Sequence, residues 1–179
     1  MDSPVVPLGR RYHDLYTVYI RGDKLVHQTH AYYSYRYERN VNFYKDLVIM
    51  NAGKTAYIVD DRSGKIVREY DLAALGGRDD NYFIEGFGDD FLLIRPNTDS
   101  FLTLVDLQDY SRVVLYKELL DKEEREFVEA SGPPMRGDYL QFIEEKDGVL
   151  YFKNRRHEFI GSEMGKDERV YQYSLTSGR

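Results

Sequence analysis

The stretch 46–72 most constrains the fold of this chain, because it consists of three short apolar or aromatic runs joined by tight polar turns. The runs at 47–50, 55–60 and 65–70 are rich in Val, Ile and Tyr, and the turns at 51–54 and 61–64 both contain Gly. Turn residues that bound β-branched and aromatic runs are typical of hairpins, and two such turns in succession give a meander. The stretch therefore predicts an antiparallel sheet.

Similar runs on both sides of this stretch extend the prediction to the whole chain. We expect further strands at 15–20, 24–29, 30–37, 41–44, 82–87, 91–95, 101–106, 112–116, 139–144, 149–153 and 169–175. Tyr and Phe make the composition 15% aromatic, and these side chains suit the pleated, half-buried surface of a sheet. The predicted fold class is therefore all-β, in a single domain that spans residues 1–179.

One segment departs from the strand pattern. Residues 118–130 place Leu119, Leu120, Phe127 and Val128 where they fit one apolar stripe of a helix. The Gly-Pro-Pro sequence at 132–134 is a helix-ending signal. We therefore predict a single helix over 118–130.

The strand runs recur at a regular interval. Asp46, Asp90 and Asp138 each precede an apolar run, and they lie 44 and 48 residues apart. Repeats of about 40 to 50 residues with four strands each are typical of β-propeller blades. We predict a small four-bladed β-propeller, with a β-sandwich or a barrel built from the same meanders as the alternative. Residues 1–13 are predicted to be an extended segment, of which 5–8 supply the missing strand of the last sheet.

The stretch 47–70 also has a family-level resemblance. It consists of an apolar strand, a turn containing Gly53, a second strand, an Asp-x-x-x-Gly turn from Asp60 to Gly64, and a third strand. This order resembles the blades of pyrrolo-quinoline-quinone-type and related β-propellers. The resemblance implies architecture alone, and we predict no cofactor.

Charge and composition narrow the classes of partner. The net charge is −6 and the isoelectric point about 5.3, so the overall field disfavours nucleic acid and anionic lipid and favours a basic protein. The chain has no cysteine, which excludes disulfides, thiolate zinc sites and cysteine catalysis. It shows neither a signal-peptide pattern nor an apolar run of about 20 residues. We therefore predict a cytoplasmic protein that does not bind membranes.

The motifs that resemble catalytic or metal sites have simpler readings as turns and strands. Gly53-Lys54-Thr55 lacks the earlier glycine of a phosphate-binding loop, because Val48 stands there. His27 and His30 lie three apart in a predicted strand, which places them on opposite faces. No Gly-x-Ser-x-Gly elbow is present. We therefore predict neither catalytic nor metal-binding residues.

The remaining polar and aromatic residues favour a binding role. The chain offers loop carboxylates, carboxylates of the predicted helix, and a Tyr/Arg face of the strand at 30–37. A surface that binds basic or aromatic groups of a partner needs side chains of these kinds. We predict a non-enzymatic protein-binding module of an inhibitor, immunity-type or adaptor kind. The alternative is a carbohydrate- or small-ligand-binding protein, or a hydrolase, that uses surface tyrosines and loop carboxylates. The predicted contact residues are Asp79, Asp80, Asp89, Asp90, Glu123, Glu124, Tyr32 and Arg36.

Overall fold

The computed structural model of the chain describes residues 13–21, 24–33, 41–154 and 169–175. These residues form antiparallel sheets built from consecutive strands. Sheet I contains β1 (His13–Arg21) and β2 (Lys24–Tyr33). Sheet II contains β3 (Val41–Tyr44), β4 (Leu47–Ala52), β5 (Thr55–Asp60) and β6 (Ile66–Asp71). Sheet III contains β7 (Tyr82–Phe87), β8 (Phe91–Pro96), β9 (Thr103–Asp106) and β10 (Arg112–Val114), and sheet IV contains β11 (Leu140–Lys146), β12 (Val149–Asn154) and β13 (Val170–Ser174).

The all-β prediction is confirmed. Strand order follows chain order in every sheet, so each sheet is an up-and-down meander. The described strands do not close into a barrel, because every sheet has two edges. The predicted closing strand at 5–8 lies outside the described residues. Along the described parts of the chain, no helix has the length and apolar character needed to cross a bilayer.

Sheet III is covered on both faces. Every residue of β8 is buried, which is the pattern expected when apolar side chains project from both sides of a strand. Leu92 and Ile94 pack in a cluster with residues of sheet II. Phe91 and Leu93 pack in a second cluster with residues of sheet IV and the nearby helices. Sheet III thus lies between sheets II and IV.

Sheet II is likewise apolar on both faces. Ile49 and Ile58 face sheet III, whereas Val48, Met50 and Val59 form a separate buried cluster on the opposite face. The backbones of β1 and β2 approach β4. The apolar residues of β4 therefore contribute to two layers of the core.

The structure corrects the third of the three predicted repeat starts. Asp46 and Asp90 each precede the second strand of a four-stranded sheet, and their carbonyl oxygens accept hydrogen bonds from the N–H groups of Asp61 and Leu107, both at 2.9 Å. Asp138 instead lies in a helix. Gly148 holds the equivalent position, because its carbonyl accepts the Leu175 N–H at 2.9 Å.

The predicted helix at 118–130 is two helices, and two further short helices were not predicted. A break at residues 120–121 divides the segment, and the glycine and prolines at 132–134 end one helix and begin the next, where Pro at the first positions is favourable. The helices are α1 (Leu72–Gly76), α2 (Leu115–Leu119), α3 (Lys122–Ala130) and α4 (Pro133–Tyr139).

A capping box explains the break. The Asp121 carboxylate accepts the Glu124 N–H at 2.9 Å, and the Glu124 carboxylate accepts the Asp121 N–H at 3.0 Å. Such a box satisfies two N–H groups that a helix start otherwise leaves unpaired. The hydrogen bond from the Glu124 backbone holds the pKa of Asp121 below its usual value. Residue 121 therefore starts a new helix instead of continuing α2.

A buried ion pair joins sheet III to sheet IV. Arg95 is 6% exposed and pairs with Glu85 on the neighbouring strand. The same guanidinium donates to the carbonyl oxygens of Ser100, at 2.9 Å, and Leu140. The Glu85 carboxylate also accepts the N–H of Phe142 at 2.8 Å. The two charges thus pair with each other within sheet III and form hydrogen bonds with the backbone of sheet IV.

We expect Arg95→Met to lower the free energy of unfolding by about 3 kcal/mol, because it leaves the Glu85 carboxylate half-buried without its cation. Urea denaturation monitored by circular dichroism measures this loss. The double variant Glu85→Gln/Arg95→Met removes both charges and should recover part of it. Arg62→Met, in an exposed pair with Asp46, should leave stability nearly unchanged. Equal effects of Arg95→Met and Arg62→Met would contradict this account.

The depressed pKa of Asp121 predicts a specific pH dependence. A carboxyl whose pKa is lower in the folded state contributes stability above its unfolded pKa, and this contribution is lost as the pH falls below about 4. Asp121→Asn keeps a good N-cap residue but cannot titrate. Its free energy of unfolding should therefore fall less steeply than that of the wild type between pH 5 and pH 3, as measured by urea titrations at each pH. Glu123→Gln, in the same helical turn, removes a carboxylate without touching the cap and should retain the wild-type contribution of Asp121.

Candidate functional site

Tight turns gather at one end of sheets II, III and IV, and we call this surface the turn face. In sheet II, the Asp61 N–H joins the β5–β6 turn to the β3–β4 turn. Across sheets II and III, Lys45 Nζ lies 2.5 Å from Asp89 Oδ2. Arg95, near the end of β8, donates to the carbonyl of Leu140, at the start of β11. The turn that follows β11 therefore lies at the same end of the sheets as the turn that precedes β8. The turn face consists of residues 45–46, 61–65, 88–90, 107–111 and 147–148.

Two of the predicted contact residues, Asp89 and Asp90, lie on the turn face. The Asp89 side chain is 63% exposed, and the Lys45 ammonium beside it holds the pKa of the Asp89 carboxyl below its usual value. Asp90 is exposed and accepts a hydrogen bond from Gln108 Nε2 at 2.8 Å. Asp46, in the neighbouring turn, lies 3.3 Å from Arg62 and is 69% exposed. Adjacent sheets therefore present exposed carboxylates on neighbouring turns.

Two carboxylates at strand ends next to the turn face shape its turns. Asp60 accepts the N–H and the hydroxyl of Ser63, both at 2.7 Å, and the hydroxyl bond holds the pKa of Asp60 below its usual value. Asp106, at the equivalent place in sheet III, accepts the Gln108 N–H at 2.7 Å. Both turns also contain a residue with positive φ, Gly64 at 69° and Tyr110 at 59°. Internal hydrogen bonds of this kind fix the β5–β6 and β9–β10 turns. The N–H groups of Asp61 and Leu107 join these two turns to the carbonyls of Asp46 and Asp90.

Asp79 and Asp80 lie at the opposite end of sheet III. They precede β7, whereas Asp89 and Asp90 follow it, and a strand of six residues spans roughly 20 Å. Asp79 pairs with Lys54 at 2.5 Å. Asp80 accepts the Thr98 N–H at 3.0 Å and so holds the loop after β8. The structure therefore does not bring the four predicted loop aspartates together.

Glu123 and Glu124 differ in exposure although they are adjacent. Glu123 is exposed in the first turn of α3. Glu124 is 5% exposed and accepts hydrogen bonds from the hydroxyls of Tyr139, at 3.1 Å, and Tyr171. Burial, together with the Glu124 carboxylate, raises the pKa of Tyr171. Glu124 thus ties α3 to sheet IV, while Glu123 is directed to solvent.

The predicted Tyr/Arg face is described only in part. Tyr32 lies in β2 opposite Asp14 of β1, and Arg36 lies outside the described residues. Their assignment as contact residues stays a prediction.

A shallow depression of about 180 Å³ adjoins the turn face between sheets II and III. Of the residues that line it, only Asp89 is a contact residue predicted from the sequence. Its inner boundary is a bridge between the sheets, where Tyr44 and Phe87 pack edge to face with ring centroids 5.7 Å apart. Its outer boundary is β6, where Val67 is 56% exposed. The residues that line the depression are Leu47, Ile58, Val67, Arg68, Phe87, Gly88 and Asp89.

One sequence signal for the depression existed. A strand on the outer edge of a sheet with consecutive apolar residues, Ile66 and Val67, departs from strict alternation. The reason is a β-bulge, since Ile58 pairs with Arg68 and Val59 with Ile66. The bulge leaves Val67 without a direct cross-strand partner in this register and turns it, together with Arg68, toward the depression.

The turn face and the depression combine charged and apolar side chains. Within the described part of the chain, no three His, Asp or Glu side chains are grouped so as to hold a metal ion. The exposed groups of the turn face include the carboxylates of Asp46 and Asp89 and the cations of Arg62 and Lys45 that pair with them. The apolar side chains and the guanidinium of the depression lie beside them. In comparisons with known proteins, the chain matches no family model, no curated protein and no solved structure.

Proposed function

We propose that this chain is a non-enzymatic, cytoplasmic protein-binding module that presents its turn face to a basic protein partner, in an inhibitor, immunity-type or adaptor role. The observation that carries this proposal is the side-by-side exposure of carboxylates on turns of adjacent sheets. Asp46 and Asp89 are 69% and 63% exposed, and Asp90 is exposed beside them.

The fixed geometry of the turns supports this role. The turns of sheets II and III are closed by equivalent backbone hydrogen bonds, in which Asp60 accepts the Gly64 N–H at 2.8 Å and Asp106 accepts the Tyr110 N–H at 2.9 Å. A surface that is already ordered loses little conformational entropy when a partner binds. Complementary charge on such a surface accelerates association and selects the partner. We therefore expect a basic partner to associate with the turn face rapidly and selectively.

We further infer that sheets II, III and IV are successive blades of a β-propeller. Three observations support this inference. The sheets are meanders with strand order equal to chain order, they stack face to face through shared apolar clusters, and the same backbone hydrogen bond recurs at Asp46, Asp90 and Gly148. A propeller presents the turns of all blades on its two ends, which are frequent binding surfaces.

The proposed function predicts that charge reversal at one end of the sheets abolishes partner binding. The variant Asp89→Lys/Asp90→Lys replaces two exposed carboxylates of the turn face with cations, so a basic partner should be repelled. Affinity purification from lysate, followed by quantitative mass spectrometry, should show loss of the basic proteins that the wild type retains. Their retention by the wild type should also weaken steeply as salt is raised.

The matched control carries the same charge change elsewhere. Asp79→Lys/Glu123→Lys also reverses two exposed carboxylates, but at positions remote from the turn face. It should retain the same proteins as the wild type, and thermal melting should show that both variants are folded. Equal loss of binding in the two variants would mean that net charge, and not the turn face, attracts the partner. Unchanged binding in the first variant would refute the proposed function.

A further inference from the structure

The depression between sheets II and III is lined by apolar side chains and by one charge of each sign. Leu47, Ile58 and Phe87 form its apolar surface, and Arg68 and Asp89 stand on its two sides. Its volume of about 180 Å³ exceeds the roughly 150 Å³ of an apolar cavity that holds benzene. The volume is therefore sufficient for one aromatic ring.

The next interface along the chain shows what occupies the equivalent place. Leu47 opens β4 and pairs with Asp60, just as Phe91 opens β8 and pairs with Asp106. Phe91 is 3% exposed and packs against the ring of Phe142 from sheet IV, with centroids 6.1 Å apart. Aromatic rings thus fill the interface between sheets III and IV where the smaller Leu47 leaves a depression between sheets II and III.

The rim charges distinguish the kind of aromatic group that fits. Asp89 is already paired with Lys45 at 2.5 Å. The Arg68 guanidinium donates from Nη1 to Tyr70 Oη at 2.8 Å, which is the one hydrogen bond of this group to another described residue. A guanidinium has five N–H donors in a planar fork that matches a carboxylate. The unused donors of Arg68 therefore favour an anionic neighbour for the ring.

We propose that this depression binds an aromatic side chain of a partner protein that carries an acidic residue next to it. The ring lies on Leu47, Ile58 and Phe87, and the carboxylate pairs with Arg68. Exposed Val67 covers the outer side of the ring. This inference goes beyond the proposed contact between turn-face carboxylates and basic residues, because it uses an apolar surface and a cation.

Methyl-resolved NMR with short peptides tests the proposal directly. The probe is N-acetylated and C-amidated Gly-Phe-Glu-Gly, added to protein with ¹³C-labelled Leu, Val and Ile methyl groups. We expect saturable shifts of the Leu47, Ile58 and Val67 methyls, with a dissociation constant on the order of 1 mM. The peptides Gly-Phe-Lys-Gly and Gly-Ala-Glu-Gly should each bind about tenfold more weakly or not at all.

Three variants assign the contacts. Leu47→Phe places a ring where the next interface has Phe91 and should abolish the shifts. Arg68→Gln should abolish the preference for the Glu peptide over the Lys peptide while a weaker shift remains. Because Arg68 and Val67 are exposed, Arg68→Gln and Val67→Gln keep the test valid even where Leu47→Phe disturbs folding. Ile66→Gln, at a 45% exposed neighbour outside the depression, is the matched control and should bind as the wild type does.

The outcomes separate this inference from the proposed function. Asp90→Lys, which alters the turn face but not the depression, should leave peptide binding unchanged. Shifts spread over many surface methyls, equal binding of the Glu and Lys peptides, or full binding by Leu47→Phe would overturn the proposal. Binding of free 3-phenylpropionate without binding of the Gly-Phe-Glu-Gly peptide would also overturn it, since the site would then belong to a small molecule.

Discussion

The structure depends on the burial of sheet III from both sides. Phe91 and Leu93 face sheet IV and its helices, while Leu92 and Ile94 face sheet II. Apolar burial stabilises by roughly 25 cal/mol per Å², so one central strand supports two layers of the core at once. Arg95 lies in this same strand, and the carboxylate of Glu85 on the neighbouring strand pairs with its charge. The packing of sheet III between its neighbours therefore positions the described turns of sheets II, III and IV relative to one another.

Local patterns explain which elements were predictable. The meander at 46–72 was predictable because its turns and strands lie within a few residues of one another. Asp138 was mistaken for a strand start because an acid before an apolar run has the same local composition in a helix and in a turn. The equivalent turn carries Gly148 instead, with a positive φ of 77°. The break before α3 depends on Asp121, and an Asp followed three residues later by Glu is a recognisable capping-box pattern. The apolar stripe through Leu119 and Leu120 instead favours one continuous helix.

The candidate site was less predictable than the fold, because it depends on which ends of the strands meet. Asp79 and Asp89 are close in sequence, yet they lie on opposite ends of β7 since one precedes and the other follows it. Glu124 resembles its exposed neighbour in sequence but is enclosed by two tyrosine hydroxyls from distant segments. The depression depends on a difference in size between Leu47 and Phe91, and that difference has meaning only after the sheets have been aligned.

The carboxylates at and next to the turn face divide into those that build the turns and those that project from them. Asp60 and Asp106 accept hydrogen bonds from backbone N–H groups of their own turns, so their carboxylates stabilise the turn backbone. Asp46 and Asp89 project to solvent, and each is matched by a single exposed cation. Arg68 adds a cation beside the apolar depression. A partner that satisfies both features carries basic residues for the turns and an aromatic–acidic pair for the depression. Such a mixed requirement selects more sharply than charge of one sign, because a uniformly basic surface meets repulsion at Arg68.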